Sequence, residues 1–208
     1  MTHEEKIFFV ATKGDAASFA YNRLTLHRTA ARRQVARIGE ALAASRSPEP
    51  EPGAGATQEE MRAYMREGMI WVQTVLSEVH FYFVSWLGCR NMLRVLVGQP
   101  EFLEAKKIFD GYQAQFEHYV NGRATFDHFD ERLPGRPQES RVREIQPDPN
   151  AGPHRIYSGL SEGMYVHSDK SWDISPRSLE LLEQSIAHVL SILHAKIDDE
   201  FSRKFMSV

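Results

Sequence analysis

Between Thr57 and Val97 the chain contains no proline, and its apolar residues are too many for one narrow stripe. Met61, Met65, Trp71, Val72, Val75, Leu76, Val79, Tyr82, Phe83, Trp86, Leu87 and Leu93 keep a helical period but spread around more than one face. The stretch therefore predicts one long helix, opened by Thr57 or Gln58 and covered on two sides. That is the spine of a helical bundle. Neighbouring helices of the same chain, or a partner chain, would supply the cover, and Gly68 and Gly88 mark points of bending or close packing.

Further helices follow from the same period. From Asp15 to about Ser45, Ala20, Leu24, Ala31, Val35, Ile38 and Leu42 line one face, while Arg23, Arg28, Arg32, Arg33 and Arg37 make the other face basic. The basic face reads first as solvated, although its spacing would also suit a nucleic-acid backbone. Ser175-Pro176 places a capping serine before a proline at the first helical position, with Ile174 able to staple onto Leu179. Leu179, Leu182, Ile186, Val189, Leu190, Leu193 and Ile197 then carry an amphipathic helix to about Phe205. His188 and His194 sit on or beside it as packed or surface residues.

The breaks are equally legible. Residues 47–57, SPEPEPGAGAT, form an exposed connector, because proline and glycine interrupt a helix and little there can be buried. Prolines punctuate an irregular stretch from 134 to 175. Within it, His154 to Ser158 and Met164 to His167 alternate around Gly159–Gly163, which predicts a small β-hairpin inserted into the bundle. The fold class expected is all-α: an up-and-down bundle of four to five helices, 1–208 as a single domain, with that loop and hairpin insertion.

Composition narrows the function classes. A hydrophobic share of 42% supports a real core, and a net charge of -3 neither announces nor excludes a nucleic-acid partner. Cys89 is the single cysteine, so no internal disulfide can form and a reducing cytoplasm fits. The apolar start MTHEEKIFFVATKG has acidic flanks and no cleavable signal layout. The most apolar window, Val79 to Val97, contains Arg90, Asn91 and Arg94, which argues against a membrane span and for a soluble protein. No Walker loop, paired Cys-x-x-Cys, His-Glu-x-x-His or twin Glu-x-x-His occurs, so no cofactor and no metal site is expected.

Chemistry concentrates between Phe102 and Pro134. Phe102, Ala105, Phe109, Tyr112, Phe116 and Tyr119 alternate at steps of three and four on one buried helical face. Asn121-Gly122 is suited to the left-handed conformation that ends a helix, and Thr125 to capping a short second helix from Phe126 to Leu133. On one unbroken helix Arg123 and His128 would lie roughly 140° apart, so the predicted break is what lets them converge. A guanidinium, an imidazole and free N–H groups of a helix start then make a phosphate-handling site, with Asp127 beside the positive helix end.

Arg123-Ala-Thr-Phe-Asp-His128, in the phrase FEHYVNGRATFDHFDERLPG, resembles the R-x4-6-H motif of HEPN domains, the all-helical domains of prokaryotic toxin and phage-defence systems. The resemblance is sharpest over residues 78–134. It implies a metal-independent endoribonuclease in which His128 moves the proton of the ribose 2′-hydroxyl or leaving oxygen and Arg123 holds the scissile phosphate. It also implies a homodimer that joins two motif copies in one cleft, an RNA substrate, and an antitoxin or sensor protein as partner. Asp127, Glu78 and His118 are supporting candidates, and Ala124 departs from the family, which usually carries Asn, Asp or His there. Glu78 and His80, polar groups amid apolar neighbours, read first as surface or hydrogen-bonded residues. The alternative is a non-catalytic helical binding or accessory module in which Arg123 and His128 are structural.

Overall fold

A computed structural model describes residues 1–44, 53, 55–127, 158–161, 163–167 and 170–205. Six α-helices and one small sheet make up the described residues: α1 (His3–Val10), α2 (Gly14–Ala44), α3 (Gln58–Val97), α4 (Leu103–Gly111), α5 (Gln113–Asp127) and α6 (Pro176–Phe205), with β1 (Ser158–Ser161), β2 (Met164–His167) and β3 (Lys170–Asp173) between α5 and α6. The all-α expectation holds. None of these helices is long and apolar enough to cross a membrane.

Helix starts are set by local hydrogen bonding. Thr57 caps α3 with its hydroxyl accepting from the Glu60 N–H at 3.3 Å, while Glu60 Oε2 accepts from the Thr57 N–H at 2.7 Å. Thr2 and Glu5 repeat this box at α1, so the N-terminal apolar patch, in which no element was expected, is a helix. At α6, Ser175 Oγ accepts from the Arg177 N–H at 3.3 Å and Asp173 Oδ1 accepts from the Ser175 N–H at 2.8 Å.

α2 and α3 pack along their length as an antiparallel pair. The Trp71 indole donates to the Ala41 carbonyl at 2.7 Å near one end of the pair. Further along, the His27 ring lies so close to the α3 backbone that a Cβ at Gly88 would fall 2.3 Å from His27 Nδ1. Gly88 is thus a close-packing point. The basic face of α2 is partly neutralised in the fold: Arg28 and Arg32 both engage Glu183 of α6, and Arg37 Nη1 lies 3.7 Å from Glu78 Oε1.

The C-terminal half of α3 is the centre of the core. Val75, Val79, Tyr82, Phe83, Trp86, Cys89, Leu93 and Leu96 are sealed between α2, α5 and α6. Trp86 stacks on Tyr119 with centroids 3.9 Å apart, and the Tyr82 hydroxyl bonds Ser178 Oγ of α6 at 2.7 Å. Burial pushes the Cys89 thiol up to about 12, which makes it an inert hydrophobe in place of a nucleophile.

Two sequence expectations are corrected. The helix predicted from Phe102 onward is divided, with a 3-10 turn at Pro100–Phe102 and a break after Gly111 that separates α4 from α5. The interruption expected at Asn121-Gly122 is absent, because α5 runs from Gln113 to Asp127 without a stop. Gly122 serves another purpose: it is buried, and a Cβ there would lie 2.8 Å from the Phe83 ring, so it lets α5 approach α3. Thr125 accordingly caps nothing, its hydroxyl donating back to the Gly122 carbonyl at 2.6 Å. Residues 128–133 of the expected second helix lie outside the described residues.

The insertion holds the expected hairpin in β1 and β2 and extends it: its described part is a three-stranded antiparallel sheet in the order β1-β2-β3. β2 is where alternation predicted it; the other predicted strand falls at 158–161, and 154–157 are outside the described residues. Gly163, at φ 79, turns the chain between β1 and β2. Tyr165 and Trp172 face each other across β2 and β3, both buried, and pin the sheet onto α5.

Candidate functional site

α5 crosses α3 in the antiparallel sense, with a run of contacts that fixes the surroundings of Arg123. Arg90 of α3 is ion-paired with Glu117, Trp86 stacks on Tyr119, Phe83 lies under Gly122, and the His80 ring meets Phe126 edge-on at 5.3 Å. Arg123 is one residue after Gly122 and one turn before Phe126. It stands, partly buried, on the stretch of α5 that passes α3 between His80 and Phe83.

The residues around Arg123 do not share its surroundings. Ala124 is exposed among the described residues, which leave room there for a longer polar side chain. Thr125 is buried on the sheet side, with its hydroxyl 3.3 Å from the Tyr165 hydroxyl. Phe126 stacks on Tyr165 at 5.1 Å and reaches Phe83 at 6.1 Å. Asp127 is the last described residue of α5, and His128 lies outside the described residues.

Glu78, His80 and His118 occupy three different faces. Glu78 is on the α2 side of the spine, paired with Arg37 through Oε1, while its buried Oε2 has no hydrogen-bond partner among the described residues. His80, two residues on, is on the α5 side, because successive helical residues are about 100° apart. His118 is directed at the sheet: its ring lies 5.8 Å from that of Trp172, and its carbonyl accepts from the Trp172 indole at 2.7 Å. Burial pushes the His118 imidazole below its ordinary range, favouring the neutral ring. His118 precedes Arg123 by five residues on α5 and so projects about 140° away from it around the helix.

His80 is the histidine that the fold does bring to this crossing. Its Nδ1 is buried and has no hydrogen-bond partner among the described residues, and its ring is held between Phe81 and Phe126. The sequence marked it only as a polar residue amid apolar ones, since its proximity to Phe126 depends on the antiparallel crossing. Tyr119, deeper in the same crossing, has its phenol pushed up to about 12, by burial first and by the Asp173 carboxylate second. It is a neutral hydrogen-bonding group at any physiological pH.

Among the described residues, no group of three or more His, Cys, Asp or Glu side chains could hold a metal ion. A guanidinium can hold a phosphate, and an imidazole can move a proton. No protein-family model matches this chain, and no curated protein or solved structure matches it either.

Proposed function

We propose that the chain is a HEPN-like, metal-independent endoribonuclease, a toxin or anti-phage effector, that cleaves RNA with Arg123 and His128. The observation that carries this reading is the Arg123–His128 motif itself, with its arginine partly buried on the last two turns of α5 in an all-α chain. The exposure of Ala124 is compatible with it, because the family's polar residue would fit at that position. The reading also takes in a homodimer with two motif copies, RNA as substrate, an antitoxin or sensor as partner, and a cytoplasmic setting.

In this mechanism His128 accepts the proton of a ribose 2′-hydroxyl, the 2′-oxygen bonds to phosphorus, and the bond to the 5′-oxygen of the next nucleotide breaks. That oxygen leaves with a proton from an acid, and the product carries a 2′,3′-cyclic phosphate. Arg123 stabilises the charge that grows on the phosphate in between. A folded RNA incubated with the protein in EDTA should therefore yield cyclic phosphate ends, while DNA survives. Cleavage that needs Mg²⁺, or equal cleavage of DNA, would contradict it.

A second reading, a non-catalytic helical binding or accessory module, is favoured by a specific observation. Three residues within and beside the motif are committed to packing: Gly122 under Phe83, Thr125 against Tyr165, and Phe126 among His80, Phe83 and Tyr165. On that reading no RNA is cut under any condition, and Arg123→Ala changes stability or partner binding alone.

A further inference from the structure

Away from the α3–α5 crossing, two imidazoles from opposite ends of the chain lie face to face. The rings of His3, in the first turn of α1, and His194, in α6, have centroids 3.9 Å apart and planes within 3° of parallel. Each ring is held from its own side. His3 Nε2 lies 3.3 Å from Asp198 Oδ2, and the Tyr21 hydroxyl lies 2.9 Å from His194 Nε2. The other charged groups facing the pair are Glu4 and Lys6 on α1, Arg28 on α2 near Tyr21, and Asp198 on α6. Lys6 Nζ already donates to Asp198 Oδ1 at 2.7 Å, and Glu4 accepts from Asn22 of α2 at 2.6 Å.

α1 has 8 residues, and Ile7 and Val10 are its buried ones. A helix that short does not stand alone, so its place depends on what it packs against. We propose that the stacked His3–His194 pair is an acid-sensitive latch, holding α1 against α2 and α6 at neutral pH and releasing it when both rings carry a proton.

Two imidazolium rings in parallel contact repel each other, and the carboxylates facing them are already engaged, Asp198 with Lys6 and Glu4 with Asn22. The environment pushes His194 below its ordinary range, by burial first and by His3 second, with Asp198 opposing. The sign follows. When α1 is released the His194 imidazole returns to its ordinary value near 6.5, so the released form binds a proton more readily, and the latch is full above about pH 6.5 and weakens below it. Each proton taken up preferentially by the released form shifts the equilibrium up to about tenfold per pH unit. Release would uncover the α2 and α6 surfaces that Ile7 and Val10 fill.

Hydrogen exchange on the full chain tests this, with α1 amides compared at pH 7.5 and 5.0 against those of the buried half of α3, after correction for intrinsic exchange. The expected result is a loss of α1 protection of about tenfold at pH 5.0, reduced to less than about twofold in His3→Phe, which keeps a stacked ring and removes one charge. Unchanged α1 protection in the wild type, or an equal loss in His3→Phe, would overturn the latch. Should His3→Phe loosen α1 already at pH 7.5, NMR of the wild-type His194 ring decides. Loss of the α1 contacts as His194 takes up its proton is expected, and α1 contacts retained with His194 protonated would overturn the latch.

Discussion

The two halves of α3 carry the same apolar period and meet different fates. From Val75 onward the stripe is sealed by α2, α5 and α6, whereas Met61, Met65, Met69, Ile70 and Val72 are exposed, Met65 by 63% and Met69 by 61%. Trp71 in that first half is tied to the end of α2 through its indole. Helical periodicity thus specifies which residues share a face; whether the face is covered depends on how far the neighbouring helices reach. α5, the partner of the α3 face that bears Phe83, is described to Asp127, level with His80.

The largest effect expected from breaking this contrast is in the covered half. Trp86→Ala removes a fully buried ring stacked on Tyr119 and should cost about 3–5 kcal/mol in chemical denaturation. Gly122→Ala should cost about 1–3 kcal/mol, because the new methyl meets the Phe83 ring at 2.8 Å and the helices must separate. At the other end of the scale, Met65→Gln and Met69→Gln should each change stability by less than about 0.5 kcal/mol. A cost near that of Trp86→Ala would mean that the first half of α3 is covered after all, by another chain or by residues outside those described.

How much of this was legible depended on whether the deciding interaction was local. Thr57 with Glu60, and Ser175 with Pro176, set helix starts within a few residues of themselves, and both starts are where the sequence predicts them. The Thr2–Glu5 box is equally local, but the few apolar residues behind it show no sustained period, so α1 escaped notice. Asn121-Gly122 misled because a glycine needed for close packing has the same letter as a glycine needed for a turn. Its reason, Phe83, lies on a different helix. β3 is too short for alternation to show, with Trp172 as its single buried residue.

The same distinction applies to the site. The type and spacing of Arg123 and His128 were visible, while the faces assigned to Glu78, His80 and His118 follow from the crossing of α3 by α2 and α5. With α5 uninterrupted to Asp127, the break that was expected to let Arg123 and His128 converge is not there, so in the proposed reading an imidazole reaches the arginine from His80 at the crossing or from the second motif copy of a dimer. His80→Ala therefore sharpens the account: a loss of RNA cleavage comparable with that of His128→Ala would assign the second proton transfer to it, and unchanged cleavage would leave it a packing residue.

The most direct measurement is the single-turnover rate of RNA cleavage by Arg123→Ala and His128→Ala beside the wild type, with unfolding midpoints recorded on the same preparations. The account predicts rates lower by about 10²–10⁴-fold for His128→Ala, a comparable loss for Arg123→Ala, and midpoints close to wild type. Wild-type rates in both variants, or losses that follow only a fall in the midpoint, would contradict it.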